Sequence, residues 1–338
     1  MEERMPIYYT KEEYQKILAT SEKEPVFMPN EIFDDLPRAI NVNRKGKSSK
    51  HIAYAFSYVF LVIYLYRYTK FGTHADYEFT EEELKKLLTV SPTSKGKDGV
   101  TYITKKKGIL EQLGYIKKVT DYPLEWTYDE IHTDSYVEFL YFSDIKGDGL
   151  PSSMISNLKN RKINYPVKLL DERIIEIDEE ELECPGILHD INYTTETSID
   201  IFIYCMTRKE LGVEGFYLYC LIKFKSAFYG GRWNCAQSDF PARTGMKIDV
   251  IKTRLKALER YGMLNNSHED FIIGLDGPGY ERIANSYCTT NFSDFVKDGE
   301  AKRPYSRGRV LTKKAHEKLK EMFNEDDNEG LWGTKGAA

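Results

Sequence analysis

The chain is poor in cysteine and histidine: five and six among 338 residues. The cysteines, Cys184, Cys205, Cys220, Cys235 and Cys288, are odd in number and form no C-x-x-C pair. That excludes a disulfide scaffold and predicts free thiols in a reducing cytoplasm. The histidines, His51, His74, His132, His189, His268 and His316, lack ligand spacing, so no metal or other cofactor is expected. No phosphate-cradling G-x-x-x-x-G-K-[ST] loop, G-x-S-x-G elbow or H-E-x-x-H helix occurs, and a non-enzymatic protein is expected. The first residues, MEERMP, are charged and polar, unlike a secretory leader. Long apolar runs are missing too. Ala53–Tyr66 falls short of the ~20 residues a membrane-spanning helix needs and is flanked by Lys50 and Arg67, so it reads as a buried core helix, with no membrane partner. Nor is there an excess of positive charge: 48 Lys and Arg face 53 Asp and Glu, a net charge of −5. Any binding to nucleic acid must then come from local basic patches.

What the chain has in quantity is aromatic side chains, 25 Tyr and 17 Phe. So many large rings require sizeable cores. The length suggests two domains. Residues 1–50 read as a polar N-terminal extension with a short helix near Lys11–Ala19, ending in the basic connector Asn43–Lys50 (NRKGKSSK). After the apolar helix, Thr80 and Glu83 stand at capping-box spacing. Leu84, Leu87 and Leu88 then form an amphipathic stripe, which Ser91–Gly99 ends. A helix is expected from Val100 to about Leu113, then a hairpin of Tyr115–Val119 with Leu124–Tyr128.

The same order returns later. Phe216–Tyr229 is an aromatic helix closed by Gly230-Gly231, Gln237–Thr244 a short helix, Gly245-Met246 a turn and Lys247–Tyr261 a third helix. Gly262–Leu264 and Phe271–Leu275 are expected to pair as a second hairpin. A constant shift of 148 places Ile103, Leu110, Glu111, Gly114 and Ile116 on Ile251, Leu258, Glu259, Gly262 and Leu264. This repetition predicts an internal duplication. Between the copies lie a strand at Tyr136–Phe142, a basic helix at Met154–Lys162 and an acidic linker at Ile177–Glu183. The tail carries a helix over Thr312–Phe323. The expected architecture is α+β. A first domain spans 51–145, a central segment with the linker 146–197, a second domain 198–280, and a basic arm with an acidic tail 281–338.

The stretch Ser238–Leu264, SDFPARTGMKIDVIKTRLKALERYGML, resembles winged helix-turn-helix proteins. In that pattern a small residue (Ala242) packs between the helices, a glycine (Gly245) makes the turn, and L-x-x-L-E-x-x-G-x-L leads into the wing. The paired units are similar to proteins of plasmids and phages of low-GC Gram-positive bacteria. The resemblance implies two winged-helix domains and double-stranded DNA as partner, with a homodimer as the assembly. With Val250, Ile251, Leu255 and Leu258 buried, the third helix leaves Lys247, Asp249, Lys252, Thr253 and Lys256 open, with Arg243 just before it. Lysine can serve phosphate or guanine, threonine a thymine methyl, and aspartate a cytosine amine. The first-copy equivalents are Thr101, Thr104 and Lys105. In the tail, Arg307 and Arg309 could reach a minor groove. The leading expectation is a cytoplasmic transcriptional regulator of lysogeny type. The alternatives are a replication initiator bound to iterated origin sites and a protein–protein adaptor that never touches DNA.

Overall fold

The structure is a computed structural model. It describes residues 6–321 apart from 22–23, 44–47, 74–77, 94–98, 130–135, 146–161, 178, 269–270, 274–283, 306–307 and 320. The expected helix at Met154–Lys162 therefore lies outside the described residues. The architecture is α+β, helices around small and mostly antiparallel sheets. No helix among the described residues is long and apolar enough to cross a membrane.

The first part of the chain runs α1 (Lys11–Ile17), β1 (Pro25–Pro29), α2 (Ile32–Asn43), α3 (Ser48–Arg67), α4 (Lys70–Thr73), α5 (Glu81–Leu87), α6 (Thr101–Thr104), α7 (Ile109–Gln112) and β2 (Ile116–Val119). A central part follows: β3 (Pro123–Asp129), β4 (Tyr136–Tyr141), α8 (Phe142–Ile145), β5 (Ile163–Pro166), α9 (Val167–Leu170), β6 (Arg173–Ile177), β7 (Glu180–Cys184) and β8 (Thr194–Ser198). The last part holds α10 (Ile199–Met206), α11 (Gly212–Phe228), β9 (Trp233–Asn234), α12 (Phe240–Thr244), α13 (Ile248–Arg260), β10 (Leu264–Ser267), β11 (Phe271–Ile273), β12 (Ser286–Thr289) and β13 (Val310–Thr312).

The apolar helix is buried on every side. From Ile52 to Tyr66 no side chain of α3 is more than marginally exposed, as expected of a helix without a polar face. It packs on α2 and α11, and the aromatic surplus is spent at that junction. Phe33 stacks on Phe56 at 5.1 Å and on Phe224 at 5.4 Å, while Phe216 meets Phe60 edge-on at 4.8 Å and Phe202 at 5.3 Å. The first helices of the two copies thus share one core. The 1–50 stretch is also built into the fold rather than trailing from it. β1 pairs antiparallel with β8, and Glu24 accepts from Lys70 Nζ at 2.6 Å and Tyr64 Oη at 2.7 Å.

The expected duplication has a geometric counterpart at two helix ends. Gly114 and Gly262 stand at φ +71° and +72° behind α7 and α13. In the first copy Gly114 N–H donates to the Glu111 carbonyl and Tyr115 N–H to that of Leu110. In the second, Gly262 donates to Glu259 and Met263 to Leu258. This is the Schellman closure of a helix, in which the left-handed residue is favoured as glycine. Ile103, Leu110 and Ile116 are buried, as are Ile251, Leu258 and Leu264.

The strand partners differ from those expected. β2 pairs with β5, and β3 with β4, so the first hairpin does not form. Between β2 and β3 the Tyr122 ring is buried, stacked on Phe142 at 5.7 Å, and the Asp121 carboxylate accepts from Ser143 N–H and Oγ–H. That anchor turns the chain away from β2. In the second copy β10 pairs with β12, while β11 runs parallel to β13. Tyr287 decides this, because its fully buried ring packs on Phe240 at 5.4 Å and fixes β12 in the sheet. Ile177–Glu183 is not a linker but half of an antiparallel hairpin, β6–β7. One end of it is held by the buried Arg173, whose guanidinium donates to the Pro185 and Asn192 carbonyls.

The expected third helix of the first copy is interrupted. Lys107 takes φ +57°, and a side chain on Gly108 would meet three backbone carbonyls at 2.7–2.8 Å. The helix therefore splits into α6 and α7. In the second copy the turn residue is as expected: Gly245 sits at φ +66°. A Cβ there would also lie 2.6 Å from Asn41 Nδ2 and 2.6 Å from Ile52 Cδ1, on α2 and α3. Gly245→Ala is expected to cost about 1–2 kcal/mol from the left-handed backbone alone. A lowered midpoint in urea denaturation checks it.

Candidate nucleic-acid interface

α13 is the best-formed candidate reading element. Its stripe of Ile251, Leu255 and Leu258 is buried and Val250 partly so, against α11 and α12. Lys247, Asp249, Lys252, Thr253 and Lys256 are all exposed on the other side, as the periodicity predicts. Arg243 is exposed on α12, its guanidinium 5.8 Å from the Trp233 ring centre. Ala242 is not the packing residue: it is exposed, and Thr244 is buried instead. The Thr244 hydroxyl donates to the Phe240 carbonyl at 2.7 Å and accepts from Met246 N–H at 3.1 Å.

Asp249, Lys252, Thr253 and Lys256 line a concavity of about 1340 Å³. Among the described residues lining it, seven are Lys or Arg and three are Asp or Glu. Two of those carboxylates are already neutralised: Glu214 by Arg254 at 2.8 Å, Glu210 by Lys302. Lys209 and Lys252 make no ion pair among the described residues. The acidity of the whole chain is therefore not the acidity of this surface. The β10 side of the concavity carries His268, whose Nε2 lies 2.7 Å from Glu259 Oε2 and whose ring meets Tyr305 edge-on. Burial pushes the Glu259 carboxyl up, and its hydrogen bonds to Asn266 and His268 pull the other way.

No family model matches this chain, and neither does any curated protein or solved structure.

The first copy presents less. Thr101 and Lys105 are exposed, with Thr101 Oγ1 accepting from Lys85 Nζ at 3.5 Å. Thr104 is not available to a partner: it is buried, and its hydroxyl donates to Glu81 Oε2 at 3.0 Å. Glu81 also accepts from Tyr58 and Lys118, so Thr104 belongs to a part-buried network that fastens α5 to α3 and β2. In the tail, Arg307 lies outside the described residues. Arg309 is exposed beside β13, followed by helical residues 313–319. Lys302 and Arg303 are not on a projecting arm. Arg303 N–H donates to the Arg260 carbonyl at 2.8 Å, and its guanidinium packs on Gly262 and bonds the Asp294 carbonyl.

Sequence reasoning missed Lys50, Lys209, Arg260 and Tyr305 as concavity residues. Only Lys50 carried a signal, as the last residue of the expected basic connector, which the structure places in the first turn of α3.

Proposed function

We propose that the chain is a sequence-specific double-stranded DNA-binding protein of winged-helix type, acting as a transcriptional regulator, with α13 laid in the major groove. The observation that carries this reading is the open face of α13, where Lys252, Thr253 and Lys256 line a concavity in which bases outnumber acids. A helix in the major groove reads base edges from such a face while flanking cations hold phosphates. The connectivity supports it. The order α11, β9, α12, α13, β10, β12, with strands arranged β10–β12–β9, is that of a helix-turn-helix backed by a three-stranded sheet. In chain order a wing of such a fold falls between β10 and β12, where β11 is the described strand. In the first copy β2 and β5 also pair across an intervening stretch, there the β3–β4 hairpin, with the third helix broken.

The test is to sequence DNA fragments that co-purify with the tagged full-length chain and to footprint the enriched sites. One operator overlapping a promoter supports a regulator, and the stoichiometry of that complex tests the proposed homodimer. Arrays of repeats beside an A·T-rich tract would make the protein a replication initiator instead. No salt-dependent binding at low ionic strength would leave the adaptor reading.

A further inference from the structure

The second reading helix is completed by the first copy. α13 starts where α3 starts: Ser49 Oγ, in the first turn of α3, accepts from the Lys247 N–H at 2.8 Å. Lys247 is the N-cap of α13 and its own side chain gives that end no cap bond, so Ser49 satisfies a donor that would otherwise lack a partner. The next residue, Lys50, lines the same concavity as Asp249, Lys252 and Lys256. The residue after it, His51, has Nδ1 2.9 Å from the Tyr102 hydroxyl, which joins this turn to α6 of the first copy. On the other side the Gly245 turn is seated on Asn41 and Ile52 with no room for a methyl group. One turn of α3 therefore touches both candidate reading elements.

The geometry points to Lys50 as a phosphate-contacting residue of the second copy's DNA interface, supplied in cis by the first copy, so that both copies engage one duplex as a single body. This rests on the DNA-binding reading above. The electrostatics fit it. Lys50 makes no ion pair among the described residues, and it shares the concavity with the unpaired Lys209 and Lys252. The acids that line the concavity with it are Asp249, Glu210 and Glu214, of which the last two are held by Lys302 and Arg254. A cation placed there without a protein counter-charge gains by meeting a phosphate and releasing its counterion. The sequence places three further bases, Arg44, Lys45 and Lys47, immediately upstream.

The test uses the full-length chain and a fluorescein-labelled 30-bp duplex of mixed sequence, titrated by anisotropy at several salt concentrations. Sequence-independent binding reports phosphate contacts. Lys50→Gln is expected to weaken binding about five-fold at ~50 mM salt and to lower the salt slope by about one. Lys50→Glu should weaken it further, and Lys50→Arg should retain wild-type affinity. Lys297→Glu, an exposed change outside the concavity, is the control for net charge. Thermal melts confirm that each variant folds, and the Gln and Arg forms keep the test available if the Glu form does not. If the wild type binds and Lys50→Gln matches it in affinity and slope, or Lys50→Glu weakens binding no more than Lys297→Glu, the inference falls while the function stands. If the wild type itself shows no salt-dependent binding, the DNA-binding reading falls and the inference with it.

Discussion

Reversing both lysines of the α13 face, Lys252→Glu with Lys256→Glu, is expected to abolish site-specific DNA binding. Both side chains are exposed at the concavity, four residues apart and therefore on the same side of the helix. On the proposed function each would neutralise charge on the DNA backbone or meet a guanine edge. A lost phosphate contact costs about five-fold at ~50 mM salt, and reversal adds repulsion at each position, so a loss of about 100-fold or more is expected for the pair at that salt. The salt slope should fall by about two. The fold should survive, because neither residue is in the α13 stripe. Among the described residues the contact disturbed is Lys256 Nζ over the Tyr305 ring at 5.4 Å, worth about 0.5–1 kcal/mol at an exposed site. Gel-shift titrations on an enriched fragment, with melts in parallel, measure both effects. Wild-type affinity in the double variant would sink the assignment of α13 as the reading helix.

Arg254→Met is expected to destabilise the fold more than any loss on the open face of the same helix. Arg254 lies on α13 but points inward, with 10% of its side chain exposed, against Glu214 on α11 with 7%. Its guanidinium bonds the Glu214 carboxylate at 2.8–2.9 Å and the Glu210 carbonyl at 2.8 Å. Removing the arginine leaves a carboxylate out of water without a counter-charge, a loss of about 3–5 kcal/mol. Combining it with Glu214→Leu should recover most of that, since an apolar pair of similar volume avoids both desolvation costs. Urea denaturation of the single and double variants tests the claim. A double variant as unstable as the single one would show that the arginine acts through packing alone. The shared aromatic core of α3 and α11 further predicts that the two copies unfold in one transition.

The local features were legible. The Thr80 cap is present, its hydroxyl accepting from Glu83 N–H at 3.2 Å, and so is the left-handed Gly245. The α13 face turned out as its spacing predicts, because burial of one side of a regular helix fixes what the other side shows. The internal repeat marked the two glycine-closed helix ends. Thr104 and Ala242 were misplaced for one reason. Each lies on a short or broken helix, where the 3.6-residue period has too few turns to set a face, and a neighbour such as Glu81 decides.

By itself the sequence determined the apolar helix α3, the Thr80 cap, the left-handed Gly245, the amphipathic face of α13 and the lack of a net positive charge, each set within a few residues of chain. Tertiary structure decided the strand partners, because backbone groups of a strand accept any partner and only buried rings such as Tyr122 and Tyr287 choose among them. It also decided that Arg254 is a buried pair rather than part of the open face. Last, it brought Ser49 and Lys50 to the start of α13, a meeting of residues some two hundred positions apart that only a shared core enforces.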